Sequence, residues 1–170
     1  ISLTPGGGQD DLGFVGVSFV CDADGTLLER SPMFMEDLSF FDLDTAAEHQ
    51  QVGVIAAKPD PDEEVYTACV LGLKDYMAKH DFKGVCLGLS GGIDSALVAA
   101  MAADAVGGSN VYGISMPSMY SSDGSKDDAA DLAKNIGAHY DIQPIEPLFV
   151  SFQKQLDLEG VAAENLQARI

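Results

Sequence analysis

The sequence predicts an α/β protein: a parallel-sheet domain preceded by a smaller β-rich piece. Three observations carry this. Gly84-Val85-Cys86-Leu87 is a short apolar run that leads through a Ser/Gly turn into an Ala-rich helix former, Ala96 to Ala103. Strand and helix patterns then alternate at the spacing of βαβ units. Before them, the first 44 residues show apolar alternation broken by Asp24-Gly25, a strong hairpin signal.

Taken in order, Gly13 to Cys21 reads as one strand, Asp22-Ala23-Asp24-Gly25 as a turn, and Thr26 to Arg30 as the returning strand. Ser39 to Asp44 is a further strand candidate. Thr45 to Glu64 is polar, acidic and punctuated by Pro59 and Pro61, which marks a junction. Tyr66 to Lys79 is expected to be an amphipathic helix, with Val65, Cys69, Leu73 and Met77 at four-residue spacing. The strand at Gly84 to Leu89 is expected to be fully buried. Asn110 to Ser118 reads as a second strand running into a loop. Lys126 to Ile136 carries Ala129, Ala130, Leu132, Ala133 and Ile136 at helical spacing, and Gly137 stands where a left-handed cap is expected. His139 to Ile142 is a third strand, and Pro147 can open a helix carrying Leu148, Phe149 and Phe152. Parallel pairing of the three strands would set the turn after the first at their carboxyl ends.

That turn, Gly88-Leu89-Ser90-Gly91-Gly92-Ile93-Asp94-Ser95, carries the chemistry. Between a strand and a helix start, its backbone N–H groups point one way and the helix adds its partial positive charge, which suits phosphate. Adjacent glycines let the backbone approach a ligand closely. Ser90 and Ser95 can donate hydroxyls, and Asp94 can hold Mg²⁺ through oxygen. No Lys occupies the place that a Walker loop requires. The plain alternative is a Gly-rich turn with a Ser or Asp cap.

SGGIDS resembles the pyrophosphate-binding loop of N-type ATP pyrophosphatases. LGLSGGIDSALVAA, YGISMPSMYSSDGSKDDAADLA, PIEPLF and ENLQARI together, in this order, closely resemble the synthetase half of glutamine-dependent NAD⁺ synthetases, over Tyr66 to Ile170. The resemblance implies the parallel-sheet, adenine-nucleotide α-hydrolase-like fold. It also implies adenylation of the nicotinate carboxylate of deamido-NAD⁺ by ATP, release of pyrophosphate, and displacement of AMP by ammonia. Gly88 to Ser95 would bind ATP, with Ser90, Gly91, Gly92, Ile93 and Ser95 on the departing phosphates and Asp94 on Mg²⁺. Asn165 and Arg169 would position deamido-NAD⁺; the plain alternative for Arg169 is a cation at a helix end. No residue in view acts as an acid or base. Met119 departs from the Arg that the family usually has, and Gly124 from a frequent His.

GGGQDDLGFVGVSFVCDADGTLLERSPMFMEDLSFFDLD is similar to the end of a nitrilase-like amidohydrolase domain, which precedes the synthetase in the same family. Val15 stands where that family commonly has Asp. The implied organisation is residues 1–44 as the tail of the nitrilase-like α/β sandwich, 45–64 as linker, and 65–170 as the first part of the synthetase. The family's Glu, Lys and nucleophilic Cys would lie upstream. Cys21, Cys69 and Cys86 lack the Asn-x-x-Cys-Glu setting and read as small buried hydrophobes, with no disulfide or metal spacing. The family's ATG-x-x-[ST]-E segment would lie beyond Ile170, so the expectation is a fragment that is inactive by itself.

Twenty-seven acidic residues against nine basic give a net charge of −18, which argues against a nucleic-acid surface. A phosphate loop works through local dipoles and is compatible with that charge. The acids are spread along the chain, as on a well-solvated surface; adaptation to high salt is the alternative, because salt screens self-repulsion. With no signal peptide or apolar span, a cytoplasmic homo-oligomer without membrane partners is expected, using ATP, Mg²⁺, deamido-NAD⁺ and glutamine or ammonia. Two other readings stay open: a different SGGxDS adenylating amidotransferase or thiolase, and an inactive nucleotide-binding module.

Overall fold

The computed structural model describes residues 1–170 except 45, 48, 49, 118–122, 157–159, 161, 163, 164 and 166–170, with Asp123 described by its backbone alone. Backbone contacts divide the chain into two compact units, Ile1–Phe82 and Lys83–Ile170.

The first unit contains two antiparallel hairpins. Strand β1 (Gly6–Gln9) pairs with β2 (Leu12–Val15) around Asp10-Asp11, and Asp10 adopts a left-handed φ of 50°. Strand β3 (Phe19–Cys21) pairs with β4 (Leu27–Arg30) across the Asp24-Gly25 turn. The strand expected over Gly13 to Cys21 is therefore two strands. Gly16, at φ 78°, turns the chain between them. Ser39 to Asp44 is not a strand. Its Leu43 and Phe40 are 59% and 84% exposed, so the apolar pattern there covers no core. Part of the expected junction instead runs beside β4: Gly53 N–H donates to Leu28 O at 2.8 Å, Arg30 N–H to Val54 O at 3.0 Å and Ala56 N–H to Arg30 O at 2.9 Å.

Helix α1 (Pro61–Lys79) begins four residues before Val65, because Asp60 caps it. The Asp60 carboxylate accepts the N–H groups of Asp62 and Glu63, both at 3.0 Å, and Pro61 supplies a preset first residue. Acidic Asp62, Glu63 and Glu64 in the first turn and Lys79 in the last both suit the helix dipole. The four-residue apolar stripe is only partly used. Met77 is buried, whereas Val65 is 64% exposed and Cys69 is exposed. The face that meets the β1–β2 hairpin is small and polar instead. A Cβ at Gly8 would lie 3.0 Å from the Cα of Gly72, so strand and helix approach backbone to backbone. Asp75 Oδ2 accepts Gly8 N–H at 2.7 Å, and Lys79 Nζ donates to the carbonyl of the same Gly8.

The second unit is built on a parallel sheet in the order β5-β6-β7, comprising β5 (Val85–Gly88), β6 (Val111–Ser115) and β7 (His139–Ile142). Helices α2 (Ile93–Val106) and α3 (Asp123–Ile136) connect the strands, and α4 (Glu146–Leu156) follows. The expected parallel pairing is present. Gly137 closes α3 in the left-handed region, at φ 71°. The core is a cluster of Leu89, Ala99, Ala129 and Ala133, against which Leu87, Leu132, Ile136 and Tyr140 pack. Alanines at these positions let α2 and α3 lie close to the sheet and to each other.

Register places Leu87, Gly113 and Tyr140 on this helix-covered face, and Cys86, Tyr112 and His139 on the other. The second face is open: Cys86, Tyr112, His139 and Asp141 are exposed, and the Tyr112 and His139 rings stack at 4.5 Å. The expectation of a fully buried β5 is therefore corrected: Val85 and Leu87 are half-buried beneath the helices, and Cys86 and Gly88 are exposed. Cys86 and Cys69 are exposed and Cys21 half-buried, which corrects their reading as buried hydrophobes. Among the described residues no helix is long and apolar enough to cross a membrane.

Candidate nucleotide-binding site

Parallel pairing delivers the end of β5 to the carboxyl edge of the sheet, and the chain turns there into α2. Leu89 anchors the turn at its start. Its side chain is 2% exposed in the core cluster, and its N–H donates to Ile114 O at 2.8 Å. Beyond it the chain comes to the surface: Ser90, Gly92, Ile93 and Asp94 are exposed, Gly91 and Ser95 half-buried.

The two serines organise the loop between them. Their hydroxyl oxygens lie 3.1 Å apart, Ser90 N–H donates to Ser95 Oγ at 3.3 Å, and Gly92 N–H donates to Ser90 Oγ at 3.3 Å. Ser95 Oγ donates to Gly92 O at 3.0 Å, closing the turn on itself. Gly91 has φ 81°, and a Cβ there would overlap the carbonyl oxygen of Ser125. The first turn of α3 therefore presses directly on the loop.

The N-cap of α2 is Gly92, and no side chain caps the helix. The first intrahelical bond runs from Ala96 N–H to Gly92 O at 3.1 Å, so Ile93, Asp94 and Ser95 precede the ladder and their N–H groups have no helical carbonyl to meet. The Gly-rich turn thus lacks the Ser or Asp side-chain cap that the plain alternative expected. A helix N-terminus with its positive end uncapped, flanked by two hydroxyls, is suited to a phosphate.

A cavity of about 210 Å³ adjoins the loop, lined by Gly88, Leu89, Ser90, Ile114 to Pro117, Ser125 and Lys126. Sequence reasoning singled out the loop side of this cavity and missed the side made by β6 and α3. The usable signal was the position of Met116 and Pro117 just past the carboxyl end of β6, where ligands of open parallel sheets sit. A larger cavity of about 770 Å³ lies in the first unit, with no first turn of a helix among its lining residues, which include Thr4, Ser18, Phe34, Lys74 and Asp75.

Asp94 is exposed in the first turn of α2, whose leading N–H groups are uncapped. No cluster of three or more metal-ligating side chains occurs among the described residues. A lone carboxylate next to a phosphate cradle fits Mg²⁺, which takes one or two carboxylates and completes its shell with substrate phosphates and water. Asn165 is helical and exposed, and no described contact joins it to the loop. Arg169 and Met119 lie outside the described residues; Gly124 is exposed in the first turn of α3.

The model of the NAD synthase family matches residues 65–170, beginning within α1. The chain is 46% identical over 171 residues to a glutamine-dependent NAD(+) synthetase of Synechocystis and 47% identical over 172 residues to one of Rhodobacter capsulatus. Each alignment covers 96% of this chain and 31% of the relative. The chain thus spans about a third of the length of the curated relatives it matches. The solved glutamine-dependent NAD⁺ synthetase of Acinetobacter baumannii, in complex with adenosine diphosphate, superposes with a TM-score of 0.93 at 38% identity, covering 99% of this chain and 33% of that one. The NH₃-dependent NAD synthetase of Campylobacter jejuni, at 30% identity and a TM-score of 0.58, covers 63% of this chain and 47% of its own. With a family match over more than half its length, on the unit that holds the phosphate-type loop, the chain belongs to the NAD synthase family.

Proposed function

We propose that this chain supplies the ATP-binding part of a glutamine-dependent NAD⁺ synthetase, organised as residues 1–44 from the end of a glutaminase domain, 45–64 as junction and 65–170 as synthetase. The observation that carries the reading is the uncapped α2 N-terminus, flanked by Ser90 and Ser95 at the carboxyl edge of a parallel sheet. The adenosine diphosphate held by the Acinetobacter relative supports a nucleotide at this fold.

The reaction forms a carboxylic amide. A carboxylate resists ammonia because its carbon is electron-rich and an oxide oxygen leaves badly. In the proposed first step the nicotinate carboxylate of deamido-NAD⁺ attacks the α-phosphorus of ATP, and the bond from that phosphorus to the bridging oxygen breaks, releasing pyrophosphate. Ammonia then displaces AMP from the acyl carbon. The work of this site is alignment and charge neutralisation. N–H groups of Ile93, Asp94 and Ser95 bind the departing phosphates, helped by the Ser90 and Ser95 hydroxyls. The Gly91-Gly92 backbone keeps side chains out of their way. Mg²⁺, held by Asp94, would add charge neutralisation on the phosphates. Asn165 and Arg169 are the residues proposed to orient deamido-NAD⁺.

The test uses the full protein that carries this chain. Pyrophosphate release from ATP–Mg²⁺ should depend on deamido-NAD⁺ and yield NAD⁺ with either ammonium or glutamine. Release of ADP instead of AMP, or turnover indifferent to deamido-NAD⁺, overturns the reading.

A further inference from the structure

We infer that Lys126, at the start of α3, binds the polyphosphate of the nucleotide held by the Ser90–Ser95 loop, supplying from a neighbouring element the cation that the loop itself lacks. The inference rests on the nucleotide reading of that loop and names a residue that the loop motif does not contain.

Three observations lead to it. First, the loop offers N–H groups and hydroxyls but no positive side chain, and Asp94 adds a negative one. A polyphosphate brought there meets a helix dipole worth roughly half a charge, which is little against several negative oxygens. Second, Lys126 lines the same cavity as Gly88, Leu89 and Ser90, and it is the cation among the described lining residues. Its backbone is fixed against the loop: the preceding carbonyl, of Ser125, fills the space that a side chain on Gly91 would need. On its other side, the Tyr140 hydroxyl donates to the Lys126 carbonyl at 3.5 Å. Third, Lys126 is half-buried on the cavity, whereas the acids that follow it on α3, Asp127, Asp128 and Asp131, are exposed. In a chain with nine basic and twenty-seven acidic residues, a cation at this place is against the compositional grain.

A purely structural lysine would bury its methylene stem along the cavity wall and leave the ammonium in water. The two roles separate by substitution. Lys126→Met keeps the stem and removes the charge; Lys126→Arg keeps the charge; Lys126→Gln guards against a folding failure of the first. Calorimetric titration of the full protein with pyrophosphate–Mg²⁺, ATP–Mg²⁺ and adenosine, at low and at molar salt, reads the difference, with thermal melting as the check on folding. The expected result is about tenfold weaker pyrophosphate and ATP binding in Lys126→Met and Lys126→Gln, since hydrogen bonds to charged groups are the strong ones. Adenosine affinity should be unchanged, Lys126→Arg within about threefold of the parent, and the salt dependence shallower in the neutral variants. Pyrophosphate affinity unchanged in Lys126→Met, or lost together with adenosine affinity, overturns the inference while leaving the nucleotide site standing. A parent protein that binds neither pyrophosphate nor ATP overturns the nucleotide reading and this inference with it.

Discussion

Replacing Gly91 with Ala and, separately, Gly92 with Ala should divide stability from ligand binding within one loop. At Gly91 the backbone sits at φ 81°, which costs an L-residue roughly 1–2 kcal/mol. The new methyl would also overlap the carbonyl of Ser125, a backbone group that cannot rotate away, so α3 must shift. Overpacking of this kind costs about 1–3 kcal/mol. Together the substitution should destabilise the second unit by about 2–5 kcal/mol, a fall in Tm on the order of 8–40 °C for a unit of this size. Gly92 is different. Its φ is −84°, and its Cβ would meet only Ser90 Oγ, at 3.4 Å. Alanine is a poorer N-cap than glycine, so a loss of up to about 1 kcal/mol is expected, while the methyl stands where a phosphate would approach. Thermal melting and titration with ATP–Mg²⁺, on both variants, give the comparison. Gly91→Ala should melt early; Gly92→Ala should melt nearly normally and bind several-fold more weakly. If Gly91→Ala melts within a degree of the parent, the close contact between α3 and the loop is refuted.

Asp94→Asn should fold normally yet lower NAD⁺ formation with both ammonium and glutamine, because the carboxylate proposed to hold Mg²⁺ is lost. Normal turnover at saturating Mg²⁺ would remove Asp94 from the metal site. Asp75→Ala strands the Gly8 N–H that its carboxylate accepts at 2.7 Å, and should cost about 1–2 kcal/mol, read by denaturant unfolding with unchanged ATP affinity. Melting temperature should rise from 0.1 to 1 M NaCl, as the screening length falls from about 10 to 3 Å around a net charge of −18. A flat or falling curve would exclude self-repulsion as a limit on stability.

The parts of the fold that the sequence made legible are those set by local chemistry. The βαβ repeat of the second unit follows from apolar strand runs, helical alanine spacing and the Gly137 stop, all within a few residues of the elements they define. The β3–β4 hairpin was legible because Asp24-Gly25 sits between apolar alternations. The β1–β2 hairpin was not, since Gly6 to Gln9 offers no apolar alternation at all and closes through a left-handed Asp10. The stripe on α1 misled because the surface it meets is a glycine-rich hairpin. Contact there runs through Gly8 against Gly72, and through Asp75 and Lys79 on the Gly8 peptide, rather than through Val65 and Cys69. Cys86 looked buried because strand periodicity reports two faces without saying which one the helices cover. In the site, the loop was visible as a motif; Ser115, Met116 and Lys126 were not, because their shared cavity arises only once β6 and α3 are packed beside β5.

The acidity of the chain and its proposed polyphosphate ligand are reconciled by distance. Net charge acts through long-range fields, which physiological salt screens within about 8 Å. The donors of the Ser90–Ser95 loop act at hydrogen-bond range, and the dipole of α2 fades within its first turn. A phosphate at the proposed site would therefore be held by groups too near for the surface acids to offset. Its approach is another matter: an anion nearing a surface of net charge −18 is repelled, and that slows encounter rather than loosening the bound state. A cation at the cavity wall opposes the repulsion at the last few ångströms, where water is being shed and the local field is strongest. Lys126 stands at that wall, on the helix whose Ser125 carbonyl braces Gly91. One packing contact thus fixes both the strained glycine that shapes the loop and the lysine proposed to charge it.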